Sequence, residues 1–418
     1  MKFGGLLGRK LAHSYSPAIH EELGDYKYSL FEAEPEGLGD FLQNISKRQG
    51  FLGLNVTIPY KQTVIPFCRE LSPAAAAIGS VNTLLPLPDG GLYGDNTDAV
   101  GFLAMARASG IEVKGKKILV LGGGGSSRTV CHVLKQSGAG EVIVISRNGQ
   151  DNYDNLHKHE DAAVIVNTTP VGMYPDTESS PVSPALFPSL EGVLDLVYNP
   201  ARTRLLTETE ARGVTRLGGL IMLVEQAAAA SALFTGKTPD AEKKQAVLDR
   251  LHSQMQNIIL IGMPGCGKSI VGQLLAETTD RRFIDADKAL EEAAGRCIPE
   301  IFESEGEAGF RARETDILRQ WCKQSGLVIA TGGGCVTRKE NRFLLRQNGV
   351  VIFLERELSL LERKGRPLSQ GDMNAMYEKR LPLYNSFADF TVRNDAEPDI
   401  TVKNLLRHCC GFPELGLY

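Results

Sequence analysis

The sequence predicts an α/β protein with mainly parallel sheets, organised in three blocks. Three observations point there. Strand-like apolar runs alternate with helically spaced ones almost throughout. Two glycine-rich turns each sit between a strand-like run and a helical run. The chain has 418 residues, enough for two to four domains at roughly 100–200 residues each.

The first block covers residues 1–98. It contains YKYSLFEAE, FLGLNVTIP and TLLPLPDGGLYG, whose Asp89–Gly90 pair suits a hairpin turn. The second covers 99–221 and is a βαβ series: KGKKILVLGGGG, EVIVISR, AVIVNTTP and GVLDLVY. Helices over about 222–255 are expected to return and complete the first block. The third covers 256–418, with NIILIG, RRFIDAD, LVIATGGG, GVVIFLE and DFTVRN as its strands. The joint DAEKKQAVLDRLHSQMQ places Val247, Leu248, Leu251 and Met255 on one helical face. It reads as a terminal helix packed on the first unit, with almost no free chain before Ile258.

Bulk properties exclude several function classes. Lys and Arg number 46 against 50 Asp and Glu, with no basic block, so no nucleic-acid partner is expected. No apolar run reaches the ~18–20 residues of a membrane span; LGGLIMLVEQAAAASALF is interrupted by Glu225 and Gln226. The N-terminus lacks an unbroken apolar segment and a cleavage site, so no signal peptide is expected. The eight cysteines form no C-x-x-C pair, which suits reduced thiols in a cytoplasmic protein.

ILVLGGGGSSRTV follows the strand–turn–helix grammar of dinucleotide binding, which predicts a Rossmann-type unit. Gly122 and Gly124 fit the first two glycine positions of G-x-G-x-x-G, and Ser127 stands at the third. Gly123, Gly125 and Ser126 complete the candidate set. The next strand ends in Ser146–Arg147, without an acid for a ribose 2′-hydroxyl. Arg147 can pair with a 2′-phosphate instead, which favours NADP over NAD.

Polar residues before that turn suggest what is reduced. Ser14 and Ser16 in HSYSP offer two hydroxyls for a carboxylate, or a cap for the helix starting near Pro17. Lys61 follows a strand in NVTIPYK, and Asp98 sits at the mouth of the second block in GDNTDAVGF. A Lys and an Asp brought together can handle the proton that accompanies hydride transfer to a ketone. Taken singly, each also fits a surface charge.

HSYSP, GLNVTIPYK, GSVNTL, GDNTDAVGF, GGGGSSR, NTTPVGM and MLVEQAAAASALFTG, in that order, resemble the shikimate dehydrogenase family from residue 3 to about 255. The resemblance implies NADPH-dependent, reversible reduction of the C3 ketone of 3-dehydroshikimate. It implies Lys61 and Asp98 as the catalytic pair, and Ser14, Ser16, Thr57, Asn82, Asp98, Tyr198 and Gln226 as substrate ligands. The chain departs from the family at Ser80, where Ala is usual, and at Phe234, where Trp is usual. Near Arg147 it lacks a second basic residue.

In the third block, GMPGCGKS at 262–269 has P-loop spacing between a strand and a helix. Backbone N–H groups around Gly262, Gly265, Cys266 and Gly267 can cradle phosphates, with Cys266 a small filler. Lys268 reaches the β and γ phosphates and the Ser269 hydroxyl can bind Mg²⁺. Asp285 and Asp287 follow a strand as alternate residues expected on one strand face. Arg311 and Glu314 share a helix face. Gly332, Gly333 and Gly334 follow another strand, and Arg366 and Arg380 lie further on.

This set resembles shikimate kinase over about 257–395, which implies a nucleoside-monophosphate-kinase-like fold and transfer of the γ-phosphate of ATP to the shikimate 3-hydroxyl. By that resemblance Lys268 and Arg366 stabilise the transferring group. Ser269 and Asp285 hold Mg²⁺, Asp285 through water. Asp287 binds ring hydroxyls and is the base, and Arg311, Gly334 and Arg380 hold the substrate. Arg363 and Arg366 are only three apart, so the lid before RPL is short.

The expectation is therefore a bifunctional enzyme of consecutive steps using NADPH, ATP and Mg²⁺, with small-molecule substrates as partners and a homo-oligomer left open. Two rivals stand beside it: a metabolite-sensing regulator descended from these enzymes, and a first half that prefers quinate and NAD. The short joint also invites channelling of the intermediate, which dilution by added labelled shikimate would test.

Overall fold

The structure is a computed structural model that describes residues 1–11, 14–361 and 372–409. It contains three sheets in chain order.

The first is built from β1 (Phe3–Gly8), β2 (Lys27–Glu32), β3 (Phe51–Val56), β4 (Glu70–Leu71), β5 (Thr83–Pro86) and β6 (Leu92–Asp95). Its order is β2-β1-β3-β5-β6-β4. β1 pairs parallel with β2 and β3; β5 pairs antiparallel with β3 and β6. The turn between β5 and β6 holds Gly90 at φ 86, a backbone state that glycine adopts without cost. Helices α1 (Ser16–Leu23), α2 (Leu38–Ser46) and α3 (Pro73–Ile78) flank this sheet, and α4 (Asp98–Ser109) leaves it.

The second sheet is entirely parallel: β7 (Lys117–Leu121), β8 (Glu141–Ile145), β9 (Val164–Asn167), β10 (Gly192–Asp195) and β11 (Thr215–Gly218), in the order β11-β10-β9-β7-β8. Its helices are α5 (Gly125–Gln136) and α6 (Arg204–Glu210). β8 and β9 lie on opposite sides of β7, so the glycine turn after β7 sits at the switch point where such sheets bind ligands. α7 (Leu220–Thr235) then runs back towards the first sheet. α8 (Ala241–Met255) packs on α1 and α7, burying the expected face Val247, Leu248 and Leu251 with Ile19, Val224 and Ala227. Met255 is buried as well.

Only Gln256 separates α8 from the third sheet. That sheet has β12 (Asn257–Ile261), β13 (Arg282–Asp285), β14 (Leu327–Ala330), β15 (Gly349–Glu355) and β16 (Phe390–Arg393), all parallel, in the order β13-β14-β12-β15-β16. Its helices are α9 (Lys268–Thr279), α10 (Ala286–Ala294), α11 (Ile298–Cys322), α12 (Glu340–Arg346), α13 (Met373–Phe387) and α14 (Pro398–Cys409). The central strands β12, β14 and β15 are near-continuous apolar runs because helices cover both faces. α11 breaks at Gly306, whose φ of 69 is not helical.

One sequence expectation needs correcting. Asp285 and Asp287 do not alternate along a strand. β13 ends at Asp285, and Asp287 lies in the first turn of α10. The reason is capping: the Asp285 carboxylate accepts from the backbone N–H groups of Asp287 and Lys288, at 3.1 and 3.3 Å, and so starts the helix.

Candidate functional sites

Between the first two sheets lies a cleft of about 820 Å³. It is lined by Ser14, Ser16, Thr57, Lys61, Asn82, Asp98, Ser126, Tyr198 and Gln226, so residues spread over more than 200 positions meet in one place. Lys61 follows β3, and Asp98 opens α4 directly after β6. Lys61 Nζ lies 2.6 Å from Asp98 Oδ2, with the two side chains only 16% and 8% exposed. Asn82 Nδ2 donates to Asp98 Oδ1 at 2.8 Å. Asn82 is itself fixed, because its Oδ1 accepts from the backbone N–H of Thr97 at 2.7 Å.

Behind these groups runs a buried relay that sequence reasoning missed. Tyr28 OH donates to Asn55 Oδ1 at 2.8 Å, Asn55 Nδ2 to Thr83 Oγ1 at 3.1 Å, and Thr83 Oγ1 to Asn82 Oδ1 at 3.0 Å. An Asn in the apolar strand FLGLNV was the available signal, since a buried amide demands partners. The Tyr198 hydroxyl is pushed above its ordinary pKa by burial, and its ring meets Tyr15 edge-on at 6.2 Å.

The glycine turn borders this cleft. Gly122 has φ 108, and a Cβ there would lie 2.8 Å from Thr168 Oγ1, so the close passage after β7 requires glycine. A Cβ on Gly125 would lie 3.0 Å from Ser80 Oγ and 3.5 Å from the Lys61 side chain. A ligand on the turn would therefore sit beside Lys61. Gly123 and Gly124 complete the turn, and Gly124 precedes α5, whose N-terminus carries no side-chain cap; a helix N-terminus is a place where an anion can bind. Arg147 is exposed just past β8 and does not line the cleft. Ser80 Oγ is buried without a hydrogen-bond partner.

The third sheet carries a second cleft, of about 570 Å³. Gly265, Gly267, Lys268, Ser269, Asp285, Asp287, Arg311, Gly334 and Arg380 all line it. The turn from Gly262 to Gly267 holds Gly262, Gly265 and Gly267 at φ 149, 83 and 93, with buried Cys266 as the filler between them. Lys268 Nζ donates to the carbonyls of Gly262 and Met263 at 2.9 and 3.0 Å, so its ammonium folds back onto the loop. Ser269 Oγ donates to Asp285 Oδ2 at 2.6 Å.

On the other wall, Arg311 Nη1 donates to Glu314 Oε2 at 2.9 Å. Burial raises the Glu314 carboxyl above its ordinary pKa, an effect the Arg311 charge opposes. A Cβ on Gly334 would overlap the Arg311 guanidinium, and one on Gly332 would overlap Glu314 Oε1. Arg380 Nη1 donates to the Gly333 carbonyl at 3.2 Å. Phe302 and Phe310 line the cleft and stack at 4.5 Å, an apolar wall that sequence reasoning did not identify. Arg366 lies outside the described residues.

Chemically, the first cleft pairs an ammonium with a carboxylate beside an anion-binding turn. The second joins a phosphate cradle to a hydroxyl–carboxylate pair and an arginine wall. Family comparisons agree with this division. The shikimate dehydrogenase substrate binding domain matches residues 6–84, the shikimate 5'-dehydrogenase C-terminal domain matches 219–247, and shikimate kinase matches 264–410. Shikimate dehydrogenase (NADP(+)) of Clostridium perfringens is 34% identical over 269 residues, which are 60% of this chain and 98% of that protein. The Thermus thermophilus enzyme is 40% identical over 250 residues, 56% of this chain and 93% of its own. Among solved structures, a chorismate mutase/shikimate 5-dehydrogenase fusion protein from Clostridium acetobutylicum is 35% identical, with a TM-score of 0.57, over 60% of this chain and 97% of that one. Thermus thermophilus shikimate 5-dehydrogenase in complex with NADP(H) and shikimate is 36% identical, with a TM-score of 0.54, over 60% of this chain and 99% of its own. The chain belongs to the shikimate dehydrogenase family, and its second half is a shikimate kinase domain.

Proposed function

We propose that this protein reduces 3-dehydroshikimate to shikimate with NADPH in its first cleft and phosphorylates shikimate at its 3-hydroxyl with ATP in its second. The observation that carries the reading is the Lys61–Asp98 contact of 2.6 Å in a cleft that the glycine turn also borders.

Bound in the first site, NADPH would supply a hydride to the ketone carbon. The Lys61 ammonium gives its proton to the carbonyl oxygen as that oxygen gains the π electrons. Asp98, held by Asn82, orients Lys61 and balances its charge. Ser14, Ser16, Thr57, Asn82, Tyr198 and Gln226 supply hydroxyls and amides for a carboxylate and ring hydroxyls. The turn from Gly122 to Ser126 would hold the pyrophosphate, and Arg147 would pair with the 2′-phosphate.

In the second site the turn from Gly262 to Gly267 cradles the ATP phosphates. Lys268 leaves its backbone carbonyls to meet them, with Arg366 as the second cation. Asp287 accepts the proton of the attacking hydroxyl, while Arg311, Arg380 and Gly334 hold the substrate. Ser269 and Asp285 present oxygen donors from adjacent positions, which suits Mg²⁺, an ion that takes one or two protein ligands and fills its shell with phosphate and water. Bound there, it would neutralise phosphate charge.

The domain division that fits is 1–98 with the helices of about 222–255, then 99–221, then 256–418. Among the described residues no helix is long and apolar enough to cross a membrane. A cytoplasmic enzyme with small-molecule partners is our reading, supported by eight cysteines without a C-x-x-C pair. One reaction tests both activities: protein, 3-dehydroshikimate, NADPH, ATP and Mg²⁺, followed by NADPH absorbance and product mass. Shikimate 3-phosphate with loss of NADPH is expected. Shikimate alone would remove the kinase assignment, and no turnover would remove both. Arg147→Ala should raise KM for NADPH at least tenfold and leave KM for NADH unchanged.

A further inference from the structure

The kinase half touches one wall of the dehydrogenase cleft, and that wall touches a second. The first is the segment after β10. Tyr198, which lines the cleft, is followed by Asn199, Pro200, Ala201 and Arg202 before α6. Within its own half this segment is tied by the Val197 carbonyl, which accepts from Gly219 N at 3.1 Å, and by the Asn199 carbonyl, which accepts from Tyr174 N at 3.0 Å. Further ties come from across the joint. Asn348, between α12 and β15 and only 4% exposed, accepts from Ala201 N through Oδ1 at 2.9 Å. Its Nδ2 donates to Asn199 Oδ1 at 3.5 Å and to the Lys323 carbonyl at 3.1 Å. Arg202 N donates to the Gln347 carbonyl at 2.9 Å, and Arg202 Nη1 to the Arg346 carbonyl at 3.2 Å.

The second wall is the start of α1. Tyr15 stands between Ser14 and Ser16, both of which line the cleft. Its ring meets the Tyr198 ring edge-on at 6.2 Å, so the start of α1 leans on the segment that Asn348 holds.

A buried amide that satisfies backbone and side-chain groups of two halves at once fixes their relative placement, and leaving Ala201 N unpaired would free the segment to move. We infer that Asn348 is a positioning residue for the dehydrogenase site: the kinase half, through Asn348, holds the Tyr198 segment, and through the Tyr198–Tyr15 contact the Ser14–Ser16 segment, in their substrate-facing positions. This rests on the assignment of Tyr198 and the two serines to the dehydrogenase substrate cleft.

The test is steady-state kinetics of both activities in the full chain for Asn348→Ala, Asn348→Asp and Tyr198→Phe. For Asn348→Ala, KM for 3-dehydroshikimate should rise about five- to tenfold, with KM for NADPH and all kinase constants within twofold of the parent. Asn348→Asp, which keeps an oxygen acceptor for Ala201 N and loses the Nδ2 donor, should raise the same KM about two- to threefold. The inference is overturned if both variants leave that KM unchanged, or if kinase constants worsen in step with it, since Asn348 would then serve general stability. Tyr198→Phe separates the two levels. If it changes no dehydrogenase constant, the assignment of Tyr198 to the substrate has failed; if it raises KM while Asn348→Ala does not, only the positioning role has.

Discussion

Lys61 Nζ reaches Asp98 Oδ2 at 2.6 Å, while the other Asp98 oxygen is held by Asn82 at 2.8 Å. Asp98 is therefore satisfied on both oxygens before any substrate arrives, and Lys61 is aimed by a carboxylate that cannot swing away.

On the proposed mechanism, removing the Lys61 ammonium should leave binding largely intact. Lys61→Met is expected to lower dehydrogenase kcat by about 10²–10⁴, the usual worth of positioned proton transfer. KM for NADPH and the kinase rate should not change. A loss of kcat smaller than about tenfold would show that another group supplies the proton.

In the kinase cleft the Arg311 guanidinium fills the space that a side chain at Gly334 would need. Gly334→Ala must push Arg311 away from Glu314 and out of the substrate wall. Loss of a charge-assisted hydrogen bond is worth about 2 kcal/mol. KM for shikimate should rise about tenfold or more, with KM for ATP and the dehydrogenase unaffected. An unchanged shikimate KM would show that Arg311 does not hold the substrate.

Ser80 is fully buried and its hydroxyl has no hydrogen-bond partner. An unmet buried hydroxyl costs about 1–3 kcal/mol. Ser80→Ala should therefore raise the melting temperature by a few degrees. Its neighbour Gly125 belongs to the glycine turn, so a raised KM for NADPH in the variant would show instead that the hydroxyl serves the bound cofactor.

Asp195 is fully buried, and burial pushes its carboxyl up to about 6 despite hydrogen bonds from Thr203, Val197 and Asn167. The unfolded chain releases this proton near pH 4, so between about 4 and 6 the folded state binds more protons. The stability this group contributes is full below about pH 4 and is lost as pH rises through 6. At roughly 1.4 kcal/mol per pKa unit the loss is about 3 kcal/mol. Asp195→Asn should gain about that much relative to the parent between pH 4 and 7 in urea melts. A constant difference across that range would mean that the three donors keep Asp195 ionised throughout.

The parallel sheets and both glycine turns were legible because strand, turn and helix carry separate local signals, as in NIILIG followed by GMPGCGKS. The meeting of Lys61 with Asp98 was not legible from spacing, since they stand 37 positions apart with the hairpin that closes the distance between them; only the family resemblance paired them. Asp287 was misplaced because alternation suggested a strand, whereas the Asp285 cap turns the chain into α10 one residue earlier. The contacts of Asn348 had no sequence signal at all. An Asn before a Gly reads as a turn, and its partners, Ala201 and Asn199, lie about 150 positions away.

The lack of a linker invites channelling, but the strand directions argue against it. The dehydrogenase half meets the kinase half at Asn348 and Gln347, immediately before β15, and Asn257 N donates to the Asn348 carbonyl at the start of β12. The phosphate loop leaves the opposite end of β12, after Ile261. Five residues of strand separate the two ends by about 16 Å, and the loop lies at the end turned away from the joint. Shikimate leaving the first cleft should therefore mix with solvent before it enters the second. With unlabelled 3-dehydroshikimate as the source and labelled shikimate added to the bulk, the label in shikimate 3-phosphate should match that of the free pool at every time point. Product that stays unlabelled beyond free mixing would show a protected route between the clefts, and the arrangement of the two halves would then need a different account.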